Sequence, residues 1–136
     1  MPFERFDKKT MTVSKAPYLT LQKGGTMSLN RRAFLDLGEP EAVELLFDRD
    51  EQLIGLKPTS PKEPYAFPIR PQGSRNRVSN YAVAGQAFTK HYDIDTSVAR
   101  RYLAEMRDDT LVVDLKSGGA IATGPRLGQT KKKRDE

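Results

Sequence analysis

The sequence contains no cysteine among its 136 residues. That absence excludes disulfide frameworks, thiolate zinc sites and cysteine nucleophiles, and it suits a cytoplasmic protein. Long apolar runs are missing too, and none approaches the roughly 20 residues that a membrane helix needs. The opening MPFERFDKKT has no apolar signal core and carries acids, so the expectation is a soluble, cytoplasmic chain with no membrane partner. Histidine occurs once, as His91. A Ser-His-Asp site could pair it with Asp93 or Asp95, but no serine is singled out by spacing as a nucleophile. An exposed histidine at a helix end is the simpler expectation. Asp93, Asp95, Asp108 and Asp109 do not follow the spacing of a calcium loop, and capping and turn roles account for them. The glycines of KSGGAIATGPRLG lack the Gly-Lys-Ser/Thr ending of a phosphate loop. The sequence therefore leads us to expect no enzyme, no metal site and no cofactor.

What is present begins with charge. The formal net charge is +5, and a basic balance invites a nucleic-acid reading. Much of the excess sits at the ends. Arg5, Lys8, Lys9 and Lys15 against Glu4 and Asp7 leave +2, and the closing KKKRDE, four bases against two acids, leaves another +2. The body thus keeps only +1, but its charges are segregated. Glu39, Glu41, Glu44, Asp48, Asp50 and Glu51 crowd one segment, whereas Arg70, Arg75 and Arg77 occupy a span without acids.

The apolar pattern suggests one unit used twice. In PYLTLQKGG, Leu19 and Leu21 alternate with polar neighbours as a strand does, and Gly24-Gly25 ends it. After a short segment, Asn30 can cap a helix in which Ala33, Phe34 and Leu37 form an apolar stripe that stops at Gly38. AVELLFDRDEQLIGLKP then reads as a hairpin, with Val43, Leu45 and Phe47 on one face and a polar turn over Asp48–Gln52. The second half repeats this order. PYAFPIRP opens it, with Pro68 confining the strand to an edge or a bulge, and a polar loop follows. Tyr81–Val83 is a short strand, and Ala84–Tyr92 is a helix whose Ala87-Phe88 matches Ala33-Phe34. SVARRYLAEMRDDTLVVDL is a hairpin turning at Asp108-Asp109. Local propensity alone would make SVARRYLAEMR helical, but its place in the repeat favours a strand, with Val98 opposite the first repeat's hairpin strand. The expected fold is mainly β with short helices (α+β), a small pseudo-symmetric β-barrel of two βαββ-like repeats with flexible basic tails. The divisions are an N-terminal tail at 1–12 and a barrel domain at 13–116, with repeat one at 13–58, a connector at 59–63 and repeat two at 64–116. A disordered C-terminal tail follows at 117–136. Five prolines between Pro58 and Pro71 read as a stiff connector, or as an extended ligand for a partner domain.

On LTLQKGGTMSLNRRAFLDLG and AVELLFDRDEQLIGLKP the chain resembles the AbrB-like, swapped-hairpin transcription factors. Gly25, Leu29, Leu37-Gly38, Val43, Asp48 and the closing GLKP stand in matching places. The resemblance covers 17–58 well and 64–116 weakly. Family members commonly dimerise to build the barrel, while MraZ-like relatives carry two units in one chain, which looks like the arrangement here. A homodimer stays open. The resemblance implies a bacterial DNA-binding regulator, nucleoid-associated if it binds DNA, or an antitoxin-like module. The chain departs from the family at Thr26, where an arginine often follows the turn glycine, at Leu35-Asp36, where bases often stand, and at Asn30, which replaces a helix-opening proline.

The candidate nucleic-acid residues are Arg31, Arg32, Arg70, Arg75, Arg77, Arg100 and Arg101. The main candidate is RPQGSRNRVSN, expected as a loop whose arginines reach phosphates and, in a major groove, guanine edges. KKKR reads as a disordered, solubilising tail, or as a source of sequence-independent phosphate attraction. The first expected function is DNA-binding transcription regulation. The alternative is a protein-interaction adaptor or antitoxin-like module with no intrinsic DNA specificity, whose acidic Glu39–Glu51 side or tail binds a partner protein.

Overall fold

The structure is a computed structural model and describes residues 16–74 and 77–121. Strands β1 (Tyr18–Leu21) and β2 (Met27–Leu29) lead into helix α1 (Arg31–Asp36), and the hairpin β3 (Ala42–Asp48) and β4 (Leu53–Thr59) follows. The chain continues through β5 (Phe67–Pro68), β6 (Arg70–Ser74) and β7 (Arg77–Val83) to helix α2 (Gln86–His91). The hairpin β8 (Arg100–Arg107) and β9 (Thr110–Asp114), a short 3-10 turn and β10 (Ala120–Ile121) complete it.

All strand pairs are antiparallel, in the order β5-β3-β4-β9-β8-β1-β2-β7-β6, with β10 joining β8 beside β9. The two ends of that order, Pro68 and Arg70, flank Ile69, whose amide donates to the Glu41 carbonyl at 3.0 Å. The sheet therefore nearly closes into a barrel, which leaves few exposed strand edges. Alternation builds the interior. Leu19 and Leu21, Ile54 and Leu56, Leu111 and Val113, Tyr81 and Val83 are buried together, because side chains two apart on a strand share a face.

Asn30 is the local hinge of the first half. Its Oδ1 accepts from the Ala33 amide at 2.9 Å and from the Tyr18 amide at 3.0 Å, while Nδ2 donates to the Ala16 carbonyl at 3.0 Å. One side chain thus caps α1 and ties it to the start of β1. Gly25 serves the second half. Its φ is +112°, and a Cβ there would lie 2.6 Å from Thr89 Oγ1 and 2.8 Å from Gln86 Cα. Only glycine lets the β1–β2 turn seat under α2. Thr26 is engaged at the same junction, where its hydroxyl accepts from Gln86 Nε2 at 2.8 Å.

Several expectations change. The span expected as a polar loop, Arg70–Asn80, is mostly an antiparallel strand pair, with β6 and β7 in register from Arg70↔Ala82 to Ser74↔Arg77 and a shift between Gln72 and Gly73. Alternation there is masked by glycine, serine and asparagine, and pairing rather than propensity makes the strand. Residues 97–107 are indeed extended from Arg100, but Val98 lies in a bend before the strand and is exposed. Pro58, Pro68 and Pro71 are not connector residues. They pair with Val43, Ala42 and Tyr81 at strand ends and beside the break at Ile69, where a missing N–H costs no ladder bond. Phe88 is buried as expected, whereas Phe34 is half-buried and stacks on Tyr81 with ring centroids 3.8 Å apart. Of the span expected as a C-terminal tail, Ser117 ends the 3-10 turn and Ala120–Ile121 pairs with Arg101 and Arg100. Residues 122–136, KKKR included, lie outside the described residues, as do residues 1–15 of the N-terminal end.

Candidate nucleic-acid interface

The fold sorts the charges. Strands β1, β2, β6 and β7 contain no aspartate or glutamate. On the other side of the sheet order β3, β8 and β9 carry Glu44, Asp48, Glu105 and Asp114, while β4 between β3 and β9 carries none, and the hairpin turns carry Asp50, Glu51, Asp108 and Asp109. The segregation visible along the chain is thus a segregation around the barrel.

Across the acid-free strands one row of directly paired residues runs Arg70↔Ala82↔Ser28↔Thr20↔Arg101. Paired residues share a face, and Leu19, Leu21, Tyr81 and Val83 fill the inner one, so this row faces outward. Arg70 and Arg101 are exposed and separated by small side chains. Neither has a carboxylate of a described residue within ion-pair distance. The Arg101 guanidinium lies 4.1 Å from the centre of the Tyr18 ring, a contact that holds the side chain against the sheet and leaves its charge in place.

The other arginines are placed differently. Arg31 Nη1 donates to Tyr81 Oη at 2.8 Å, and Arg32 lies 3.7 Å from Asp36 one turn along α1. Both are half-buried at the barrel end, so α1 uses them for packing as well as for charge. Arg100 and Arg101 are neighbours in a strand and point to opposite faces. Arg100 Nη1 donates to the Gly118 carbonyl at 3.2 Å beside a concavity lined also by Asp93, Asp95 and Tyr102, which offsets its charge. Ser97 donates twice to the Asp95 carboxylate, holding it below the usual carboxylate range. Arg77 lies in β7 at the end away from the barrel body, and Arg75 lies outside the described residues. His91 closes α2 and is exposed, with its ring edge-on to Tyr92.

Sequence reasoning did not single out Thr20, Gln22, Ser28 or Asn80. With Arg101, Ala120 and Ile121 they line an outer groove of about 490 Å³. Period-two alternation marks Thr20 and Gln22 as outward, but nothing in the sequence announces that β7 and β8 lie three strands apart. Asn80 Oδ1 is buried without a hydrogen-bond partner, the only such buried side-chain atom among the described residues. Among those residues no group of three or more histidines and acids could hold a metal ion, and no helix is long and apolar enough to cross a membrane. No family model, no curated protein and no solved structure matches this chain.

Proposed function

We propose that this chain is a DNA-binding transcription regulator of AbrB-like type that meets duplex DNA through the acid-free strands. The observation that carries this reading is the absence of carboxylates from β1, β2, β6 and β7, while Arg70 and Arg101 stand on the outer side of the sheet without acidic partners among the described residues. Duplex DNA carries a dense row of phosphates, and arginines that neutralise them supply sequence-independent affinity. The β6–β7 pair supplies a two-stranded ribbon, an element that a major groove admits, and β7 begins at Arg77. The same reading takes β1-β2-α1-β3-β4 and β6-β7-α2-β8-β9 as two copies of one unit. The matching order supports it, as does the way the halves meet through like strands, β2 on β7 and β4 on β9. The protein then works in the cytoplasm, at the nucleoid.

A second reading, a protein-interaction module, draws on the opposite side of the barrel. There Leu46, Gly55 and Val112 form an outer row over a shallow apolar concavity of about 200 Å³, and the acidic turn Asp48–Glu51 lies beside it. Fluorescence anisotropy with a random-sequence duplex separates the two. The DNA reading expects binding whose log K falls linearly with log salt, with amide shifts confined to β1, β2, β6, β7 and the start of β8. No binding at low salt, with one stoichiometric protein co-purifying from nuclease-treated lysate, would favour the partner reading.

A further inference from the structure

The groove between β7 and β8 has a chemistry of its own. One wall is Asn80, whose Oδ1 has no hydrogen-bond partner although it is buried. A buried acceptor left unpaired is costly, and each one in a folded protein calls for an explanation. The opposite wall is Arg101, exposed and without a described carboxylate partner. Between them Thr20 and Ser28 present hydroxyls, and Ile121, 61% exposed, adds an apolar edge. The volume of about 490 Å³ falls in the range of small-molecule sites.

We propose that this groove binds one nucleotide bearing an exocyclic amino group, an adenylate or cytidylate, with its phosphate on Arg101 and its amino group donating to Asn80. The assignment follows from matching donors to acceptors. Arg101 offers only donors and a positive charge, which fits a phosphate. The unpaired atom of Asn80 is an acceptor, which fits an N–H and not a carbonyl. Amide χ2 torsions are broad, so a rotation that turns Oδ1 toward the groove is open to the side chain, with Nδ2 taking its place. An asparagine carboxamide matches the amino edge of adenine in particular. Strands β7 and β8 are three spacings apart, about 14 Å along the sheet, and an extended arginine shortens that span to roughly one nucleotide. Ile121 offers the base an apolar contact. The nucleotide can be free or part of a strand, since both present the same phosphate and amino group. This inference does not rest on duplex binding.

Amino and oxo pairs test it. Calorimetric titration of the full chain with AMP against IMP, and CMP against UMP, isolates the amino group, and dA10 against dI10 repeats the comparison within a strand. The amino member of a pair should bind about tenfold tighter, in the free or the strand series according to the source. Asn80→Leu should abolish that preference, whereas Arg101→Met should weaken both members alike and keep it. Amide spectra of both variants establish that they fold, and the wild-type comparison stands without them. Equal affinity within every pair, or a preference that survives Asn80→Leu in a folded protein, would overturn the proposal, as would no binding of any probe at millimolar concentration.

Discussion

Replacing Asn30 with alanine removes three hydrogen bonds from one side chain, to the Ala33 and Tyr18 amides and to the Ala16 carbonyl. Loss of an N-cap costs about 1 kcal/mol, and the two remaining bonds are worth about 0.5–1.5 kcal/mol each. The site is only part-buried, so water recovers some of this, and the net expectation is about 2–3 kcal/mol. That is a large share of the roughly 5–15 kcal/mol that holds a domain together. Asn30→Asp keeps the acceptor that caps α1 and meets Tyr18, but loses the donor to Ala16, and should cost about 1 kcal/mol. Urea unfolding read by far-ultraviolet dichroism measures both, with unchanged m-values showing that the transition is comparable. A change below about 0.5 kcal/mol for Asn30→Ala, or equal losses for the two variants, would refute the clamp. Ordinary surface substitutions fall in that small range.

Gly25→Ala should be more damaging than Gly24→Ala, because both strain a positive φ but only the methyl at 25 meets Gln86 backbone; thermal melts of the two variants make the comparison. Phe88→Ala should cost about 3–5 kcal/mol as a core truncation, and Phe34→Ala clearly less, since its ring is half-buried on Tyr81; denaturant titrations of the pair should show the gap. Burial holds the Tyr102 phenol above its ordinary value. A phenol raised by folding contributes stability that is complete below its unfolded pKa of about 10 and is lost as pH rises beyond it. Stability should therefore fall above about pH 10, and Tyr102→Phe should remove that part of the fall.

The first half of the fold was legible because its signals agree. Alternating Leu19 and Leu21, a capping asparagine, an apolar stripe and Gly38 all point to the same strand and helix, and Val43, Leu45 and Phe47 pair with Pro58, Leu56 and Ile54. The second half was legible where β-branched and apolar residues dominate, in Leu111–Val113. It failed at Arg70–Asn80, where polar residues and glycine resemble a loop and only the neighbouring strands make them a sheet. The charge segregation could be read along the chain, but not the row that brings Arg70 and Arg101 onto one side of the sheet. That row depends on β1 pairing with β8 and β2 with β7, contacts 50 or more residues apart in sequence, which no local pattern encodes. Asn80 was missed for the same reason, since an unpaired oxygen is a property of its surroundings.

On the proposed function, the acid-free side of the barrel carries the nucleic-acid contacts. The salt dependence of duplex binding measures it most directly, in the wild type, in Arg70→Ala/Arg101→Ala, and in Arg107→Ala, which removes a base paired with Glu105 in the acidic hairpin. Each phosphate neutralised contributes about 0.9 to the log–log slope. The double variant should flatten the slope by roughly 1.8, and Arg107→Ala should leave it where it was. A slope unchanged in the double variant, or flattened as much by Arg107→Ala, would contradict the account.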